Sequence, residues 1–234
     1  MSEHAQVTAL FPTLVYSTQL VDAEQFNQDF LSLMGKYGFE TDAHTVQGEY
    51  VGKCDMQIEP ALKPFMDKVV DHIKAYLSLY ALKTDYFDYY VTKTSYAILD
   101  KPESSIGPHF HPASDVSFVY YVEAPEGTDP LCIMNDSANS TLDGLVSSFR
   151  PLDKSLISEI NQFNCQYSSI QPKSGMLVLF LGSTKHMVNH DSSKPFAGRR
   201  LSIAGDVNLV LKPEHTAYEY GKQSLSKWKK FEGA

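Results

Sequence analysis

The stretch HFHPASDVSFVYYV, residues 109–122, decides the fold of this chain because it joins a histidine pair to a β-strand. From Val116 to Glu123 the chain is rich in β-branched and aromatic residues, which is typical of a strand. The two histidines stand just before it, after the turn-rich segment Lys101–Pro108. We therefore expect a histidine pair near the start of a strand.

Similar compositions, separated by loops rich in Gly, Pro, Asn, Ser and Asp, predict strands on both sides of this one. The most N-terminal is expected at a sheet edge, where the proline that it contains is tolerated. The predicted strands are Val7–Tyr16, Tyr86–Leu99, Val116–Glu123, Leu131–Met134, Cys165–Ile170, Met176–Leu181 and Leu201–Leu211.

Two segments before the long strands have apolar residues at helical spacing, Asp22–Gly38 and Pro60–Leu82. Pro64 is an alternative start for the second helix. The polar residues 39–58 predict a loop, and a short helix is predicted near Lys154–Gln162. Helices in front of a run of antiparallel strands indicate an α+β, mainly β fold, with the helices packed on one side of a barrel or sandwich.

The domain prediction follows from this order of elements. We expect one domain over residues 1–234, with a helical part at about 20–83, a barrel at about 85–211 and a C-terminal arm at 212–234.

Composition excludes several classes of protein. The 20 basic and 28 acidic residues give a net charge of -8, so no nucleic-acid-binding face is expected. The chain has no apolar run of 18 residues that would predict a membrane span, and it does not start with a secretory signal pattern. Its three cysteines form neither a metal motif nor a disulfide framework, so we expect a cytoplasmic protein.

The histidine pair is a candidate metal site. In an extended segment, alternation places His109 and His111 on one face, and two imidazoles on one face are good ligands for Fe, Zn, Cu or Ni. Asp115 adds a carboxylate four residues later. The competing interpretation is two loop histidines beside a proline.

Two features further along the chain add to this pair. His186 follows the predicted strand Met176–Leu181 and stands at the start of the next one, where a barrel could bring it to the first two histidines. Alternation places Arg200 and Ser202 on one face of their strand, where together they could bind a carboxylate. Arg199 points to the opposite face and is expected at the surface.

The order of these parts resembles that of a known family. Residues 109–122 are similar to the H-x-H-P block and following tyrosine-containing strand of the small 2-oxoglutarate/Fe(II) oxygenases of marine bacteria and their phages, which are distantly similar to prolyl hydroxylases. Other blocks of that family resemble Phe11–Tyr16, Pro172–Phe180 with His186, and Arg200–Ile203, so the likeness extends to about residue 210.

The chain departs from the family pattern at two places. Phe118 stands where the family often has Gly, and Tyr96-Ala97-Ile98 occupies a strand in which a Trp and an Asn are expected. Both departures are expected to reshape the pocket for co-substrate or substrate.

The resemblance implies a double-stranded β-helix, that is, a jelly-roll or cupin-like barrel. It further implies an enzyme that uses Fe(II), 2-oxoglutarate and O₂ to hydroxylate a small-molecule or peptidyl substrate, with release of succinate and CO₂. The implied iron ligands are His109, His111 and His186, with Asp115 as an alternative ligand or as a partner that orients an imidazole. Arg200 and Ser202 would bind 2-oxoglutarate, and Tyr96 and Tyr121 would line the pocket.

Two other functions stay open at this point. A cupin-like metal enzyme that does not use 2-oxoglutarate also fits His109, His111 and Asp115. A non-catalytic metal-binding barrel is the second alternative. The sequence does not identify the substrate, and a homodimer is the default oligomer only because homodimers are common.

Overall fold

Strands outnumber helices in this chain. The computed structural model describes residues 12–34, 36–37, 46–47, 49–51, 55–135, 158–159, 161, 165–188, 190, 195–212, 215 and 229–231. Helix α1 spans Ala23–Met34 and helix α2 spans Lys63–Ser78. The strands are β1 Tyr16–Gln19, β2 Val46–Gln47, β3 Glu49–Val51, β4 Phe87–Leu99, β5 Ser105–His109, β6 Val116–Glu123, β7 Leu131–Met134, β8 Tyr167–Ile170, β9 Met176–Leu181, β10 His186–Val188, β11 Arg200–Leu211 and β12 Lys229–Phe231.

The strands form two antiparallel sheets. The major sheet has the order β1-β9-β6-β11-β4-β12, and β3 also pairs with β4. The minor sheet has the order β2-β5-β10-β7-β8. Most neighbouring strands are not consecutive in the chain, so their connections cross between the sheets, as in a jelly roll.

The outer face of the major sheet packs against the helices. Phe65 of α2 is fully buried there and makes aromatic contacts with Phe30 of α1 and with Phe118 and Tyr120 of β6. Because side chains alternate along a strand, Val119 and Tyr121 of β6 point to the other face. The predicted packing of the helices on one side of the strands is confirmed.

The inner face of the major sheet packs against the minor sheet. One buried cluster contains side chains from both sheets: Leu99, Val119, Tyr121, Ala124, Leu131, Ile133, Val178, Phe180 and Val188. The barrel interior is therefore a second core, separate from the one beneath the helices. It is also the side on which the histidines and Arg200 lie.

Several sequence-based boundaries are wrong. β1 begins at Tyr16, so residues 12–15 of the predicted strand Val7–Tyr16 are not a strand, and the rest of it, before residue 12, lies outside the described residues. The predicted loop at 39–58 contains β2 and β3. Part of the predicted C-terminal arm, Lys229–Phe231, pairs with β4. Most of the predicted helix near Lys154–Gln162 lies outside the described residues.

Phe118 does not reshape the inner pocket. It lies on the outer face, opposite Gly205 of β11, and its ring occupies the space that a Cβ at Gly205 would fill. The absence of a side chain at Gly205 thus admits the phenyl ring into the helix-covered core.

Among the described residues no helix combines the length and the apolar character needed to cross a membrane.

Candidate metal centre

Three histidines from two distant parts of the chain meet in one cluster. His109 ends β5 and His186 begins β10, and the two are direct partners in the antiparallel pairing of these strands. His111 lies two residues beyond β5. One ring nitrogen from each of the three lies within 4.8 Å of the others, a spacing that allows one metal ion to bind all three.

A glycine fixes the loop that carries His111. The backbone N–H of His111 donates to the carbonyl of Gly182 at 2.8 Å, and the N–H of Gly182 donates to the carbonyl of Asp115 at 3.1 Å. A Cβ at Gly182 would collide with the backbone carbonyl of Ser114. Only glycine permits this close approach between the end of β9 and the histidine loop.

The imidazoles are oriented by hydrogen bonds from Nδ1. His109 donates to the carbonyl of Gly107 at 2.8 Å, and His186 donates to the carbonyl of Thr184 at 2.9 Å. A carbonyl only accepts, so each Nδ1 carries the hydrogen and each Nε2 keeps a free lone pair. Such partners fix the tautomer in which Nε2 can bind a metal.

The third imidazole has a charged partner. His111 donates from Nδ1 to the Oδ1 atom of Asp206 on β11 at 2.6 Å. The expectation that Asp115 orients an imidazole is therefore corrected: the orienting carboxylate is Asp206. Asp115 is also outside the histidine cluster, and its carboxylate accepts from the backbone N–H of Leu209 at 2.8 Å.

Burial keeps two of the histidines neutral. It lowers the pKa of His186 to about 3, and the neighbouring His109 adds to this effect. Burial also lowers the pKa of His109, against the opposing effect of its hydrogen bond to Gly107. Neutral imidazole is the form that binds metals, so His109 and His186 can bind an ion at neutral pH without first losing a proton.

Because the pKa of His186 is lowered, the metal-free protein is predicted to become less stable in acid. The ordinary pKa of histidine is 6.5, so the unfolded state takes up a proton at residue 186 as the pH falls below that value, whereas the folded state does not until about pH 3. The free energy of unfolding therefore decreases between pH 6.5 and about 3. The loss per pH unit is at most ~1.4 kcal/mol for one group. Chemical denaturation at pH 7 and pH 5 measures it. His186→Asn should show a shallower pH dependence than wild type, and equal slopes would contradict the prediction.

A possible carboxylate site lies on the same inner face. Arg200, Ser202, Ala204 and Asp206 alternate along β11 and so project to one side. Ser202 is paired with Tyr121 of β6, and Arg200 donates to the Tyr121 hydroxyl at 3.3 Å. The guanidinium carbon also lies 5.1 Å from the centre of the Tyr121 ring.

Arg200 is a buried cation without an anionic partner among the described residues. Its side chain is 2% exposed, and within the described part of the chain its guanidinium donates to the Tyr121 hydroxyl and, at 3.4 Å, to the backbone carbonyl of Asp129. Its Nε atom is buried and has no hydrogen-bond partner among the residues that the structure describes. A buried guanidinium is costly unless an anion neutralises it, so this geometry fits an anionic ligand.

Tyr96 and Arg199, which the sequence analysis also discussed, both lie outside the inner site. Tyr96 is not a pocket residue, because it lies on the outer face in the helix-covered core and donates to the carbonyl of Tyr37 at 3.3 Å. Arg199 is at the surface as expected, where it forms a two-pronged ion pair with Glu123. Sequence reasoning missed Asp206, although alternation from Arg200 along β11 places it on the same face.

Comparisons with known proteins agree with this geometry. The family model described as “Putative 2OG-Fe(II) oxygenase” matches residues 94–206, a segment that contains the three histidines, Arg200 and Ser202. Among curated proteins, none matches the chain.

Several solved structures share the fold at low sequence identity. A prolyl-4-hydroxylase from Pseudomonas putida is 14% identical, with a TM-score of 0.52 over 84% of this chain and 92% of that one. A Trichoplax adhaerens prolyl hydroxylase, solved with a peptide fragment of hypoxia inducible factor, is 12% identical, with a TM-score of 0.52 over 82% of each chain. The alpha ketoglutarate dependent epimerase SnoN from nogalamycin biosynthesis is 13% identical, with a TM-score of 0.52 over 91% of this chain and 85% of that one.

These neighbours confirm the predicted double-stranded β-helix fold. The histidine cluster and the buried arginine both come from the segment that the family model matches. Residues 94–206 of the chain are thus similar to the family of 2OG-Fe(II) oxygenases.

Proposed function

We propose that this protein is an Fe(II)- and 2-oxoglutarate-dependent oxygenase that hydroxylates a small-molecule or peptidyl substrate. One observation carries the proposal. The barrel interior combines a three-histidine cluster with a buried arginine that has no carboxylate partner among the described residues. A metal ion would bind to the histidine cluster, and a dicarboxylate would place one of its carboxylates against the arginine.

His109, His111 and His186 would hold the iron. Their Nδ1 atoms are occupied by hydrogen bonds, so the three Nε2 atoms would be available to a metal ion. Three protein ligands leave coordination positions for a co-substrate and O₂, as in facial-triad iron sites. This chain has histidine at all three proposed positions, whereas the usual triad has two histidines and a carboxylate.

Arg200, Tyr121 and Ser202 would hold the far carboxylate of 2-oxoglutarate. Arg200 has a free Nε–H, and the Tyr121 hydroxyl accepts from Arg200 and keeps its own proton to donate. Burial raises the pKa of Tyr121, against the lowering effect of Arg200, so the hydroxyl stays protonated at neutral pH. The Ser202 hydroxyl is a third donor in the same part of the barrel.

The apolar lining of the barrel would keep water away from the reaction. Phe180 packs against the His186 ring at 4.6 Å between centroids, and Val119 and Val178 belong to the same buried cluster. Bound together, iron and 2-oxoglutarate supply an oxidant from O₂, with loss of CO₂ and formation of succinate. Excluding water protects such chemistry from side reactions. The solved structure of HygX from Streptomyces hygroscopicus, which shares this fold, holds nickel and 2-oxoglutarate.

An anaerobic titration tests the proposal. Protein loaded with Fe(II) is titrated with 2-oxoglutarate, and the visible metal-to-ligand charge-transfer band is recorded. We expect the band in wild type. Arg200→Ala should need ~10–100-fold more 2-oxoglutarate, because it loses charge-assisted hydrogen bonds worth ~1.5–3 kcal/mol. Arg199→Ala, which removes the neighbouring surface arginine, is the matched control and should behave as wild type.

Three results would contradict the proposal. Iron that binds without any band would favour a cupin-like metal enzyme that does not use 2-oxoglutarate. Failure to bind iron would favour a non-catalytic barrel. A band that appears equally in wild type and Arg200→Ala would show that the carboxylate site lies elsewhere. Once the band is established, O₂ consumption with candidate substrates would identify the substrate class.

A further inference from the structure

Asp206 occupies an unusual place beside the histidine cluster. It lies in the middle of β11, between β4 and β6, where it pairs with Lys93 on one side and Ser117 on the other. Its Oδ1 atom accepts from His111 Nδ1 at 2.6 Å and from the Ser117 hydroxyl at 3.3 Å. The carboxylate is therefore held on a strand that is hydrogen-bonded along both edges.

The hydrogen bond from His111 to Asp206 holds the one histidine of the cluster that does not lie on a strand. His109 and His186 each belong to a strand, whereas His111 lies in the turn after β5. The side chain of His111 is 16% exposed, so packing alone does not fix its ring. The hydrogen bond to Asp206 ties this loop imidazole to the rigid major sheet, and the two residues are 95 positions apart in the sequence.

The partner also differs chemically from those of the other two histidines. His109 and His186 donate to neutral carbonyls, and only His111 donates to a carboxylate. A carboxylate partner makes an imidazole more basic and so a stronger metal ligand. An aspartate carboxylate is ordinarily charged at neutral pH, and this one accepts hydrogen bonds from both His111 and Ser117.

We propose that Asp206 is the positioning residue of the metal centre. It fixes the tautomer and ring plane of His111, and it brings a carboxylate next to a site whose three proposed ligands are all imidazoles. In the usual facial triad a carboxylate binds the metal directly. In this chain the carboxylate would act through one imidazole. The inference rests on the metal site of the proposed function.

Three variants test the role of Asp206. Asp206→Ala removes both the acceptor and the charge, whereas Asp206→Asn keeps an amide oxygen that can accept from Nδ1. Asp115→Asn is the matched control, because it neutralises a nearby carboxylate of the loop that lies outside the cluster. The probe is Co(II), whose affinity is measured by competition with a chelator.

We expect Co(II) affinity to fall by ~10–100-fold in Asp206→Ala, the usual cost of losing such a partner. Asp206→Asn should lose less, because it preserves the hydrogen bond, and Asp115→Asn should match wild type. An Asp206→Ala protein that binds Co(II) within twofold of wild type would overturn the proposal. Wild-type protein that binds no Co(II) would instead overturn the metal site itself, so the two failures are distinguishable.

A second readout separates positioning from a general loss of structure. Imidazole ¹H–¹⁵N correlation spectra of the metal-free protein report the tautomer of each histidine. Wild type and Asp206→Asn should show the Nδ1–H form at all three residues. Asp206→Ala should lose it at His111 and retain it at His109 and His186, whose carbonyl partners are unchanged. An unchanged His111 tautomer in Asp206→Ala would overturn the proposal even if metal affinity fell.

Discussion

Replacing His186 by alanine is expected to abolish iron binding and with it all 2-oxoglutarate-dependent O₂ consumption. Position 186 would provide one of three ligands, and it is the most deeply buried of them, at 4% exposure. Loss of a direct ligand should cost more than the ~10–100-fold in affinity that follows loss of a partner behind a ligand. Anaerobic Fe(II) titration of wild type and variant measures the loss.

The control for this prediction is His72→Ala. His72 lies on α2, against the outer face of the major sheet, and its Nδ1 atom is 2.9 Å from the Tyr16 hydroxyl. Its loss should leave iron affinity unchanged. If His186→Ala still bound iron and gave the charge-transfer band, the proposed ligand set would be wrong.

Replacing Phe65 by alanine is expected to cause a large loss of stability. The ring is fully buried and contacts Phe26, Phe30, Phe118 and Tyr120, so it joins both helices to the outer face of β6. Truncation removes its buried apolar surface and leaves a cavity, at a cost of ~3–5 kcal/mol in the free energy of unfolding. For a domain of this size that lowers the Tm by ~10 °C.

The matched control is Phe110→Ala, the same substitution at a residue that is 52% exposed. Its effect on the free energy of unfolding should be within ~0.5 kcal/mol, as for most surface changes. Guanidinium denaturation of the three proteins gives the comparison. Equal stability of Phe65→Ala and Phe110→Ala would mean that the helices do not stabilise the barrel through this cluster.

The sequence predicted most of the strands and the two helices. The bounds of Val116–Glu123, Leu131–Met134 and Met176–Leu181 agree with the structure, because β-branched and aromatic runs between turn residues are a local signal. The second helix begins at Lys63, one residue before the alternative start at Pro64. The short strands β2 and β3 were not predicted, since segments of two or three residues are too short to show a period and depend on their partners β5 and β4.

The sequence by itself also singled out the three histidines that the structure brings together and the buried Arg200, because the order of histidines, buried strand and Arg-x-Ser resembles one family. Only the tertiary structure decided what each of them contacts. Strand pairing across distant segments sets which face each residue occupies, so Tyr121 lies beside Arg200 while Tyr96 lies beneath the helices. The same pairing gives His111 its partner Asp206, 95 residues away, in place of the nearby Asp115. Hydrogen bonds between strands fix such contacts, and no local pattern of residues specifies which strands will pair.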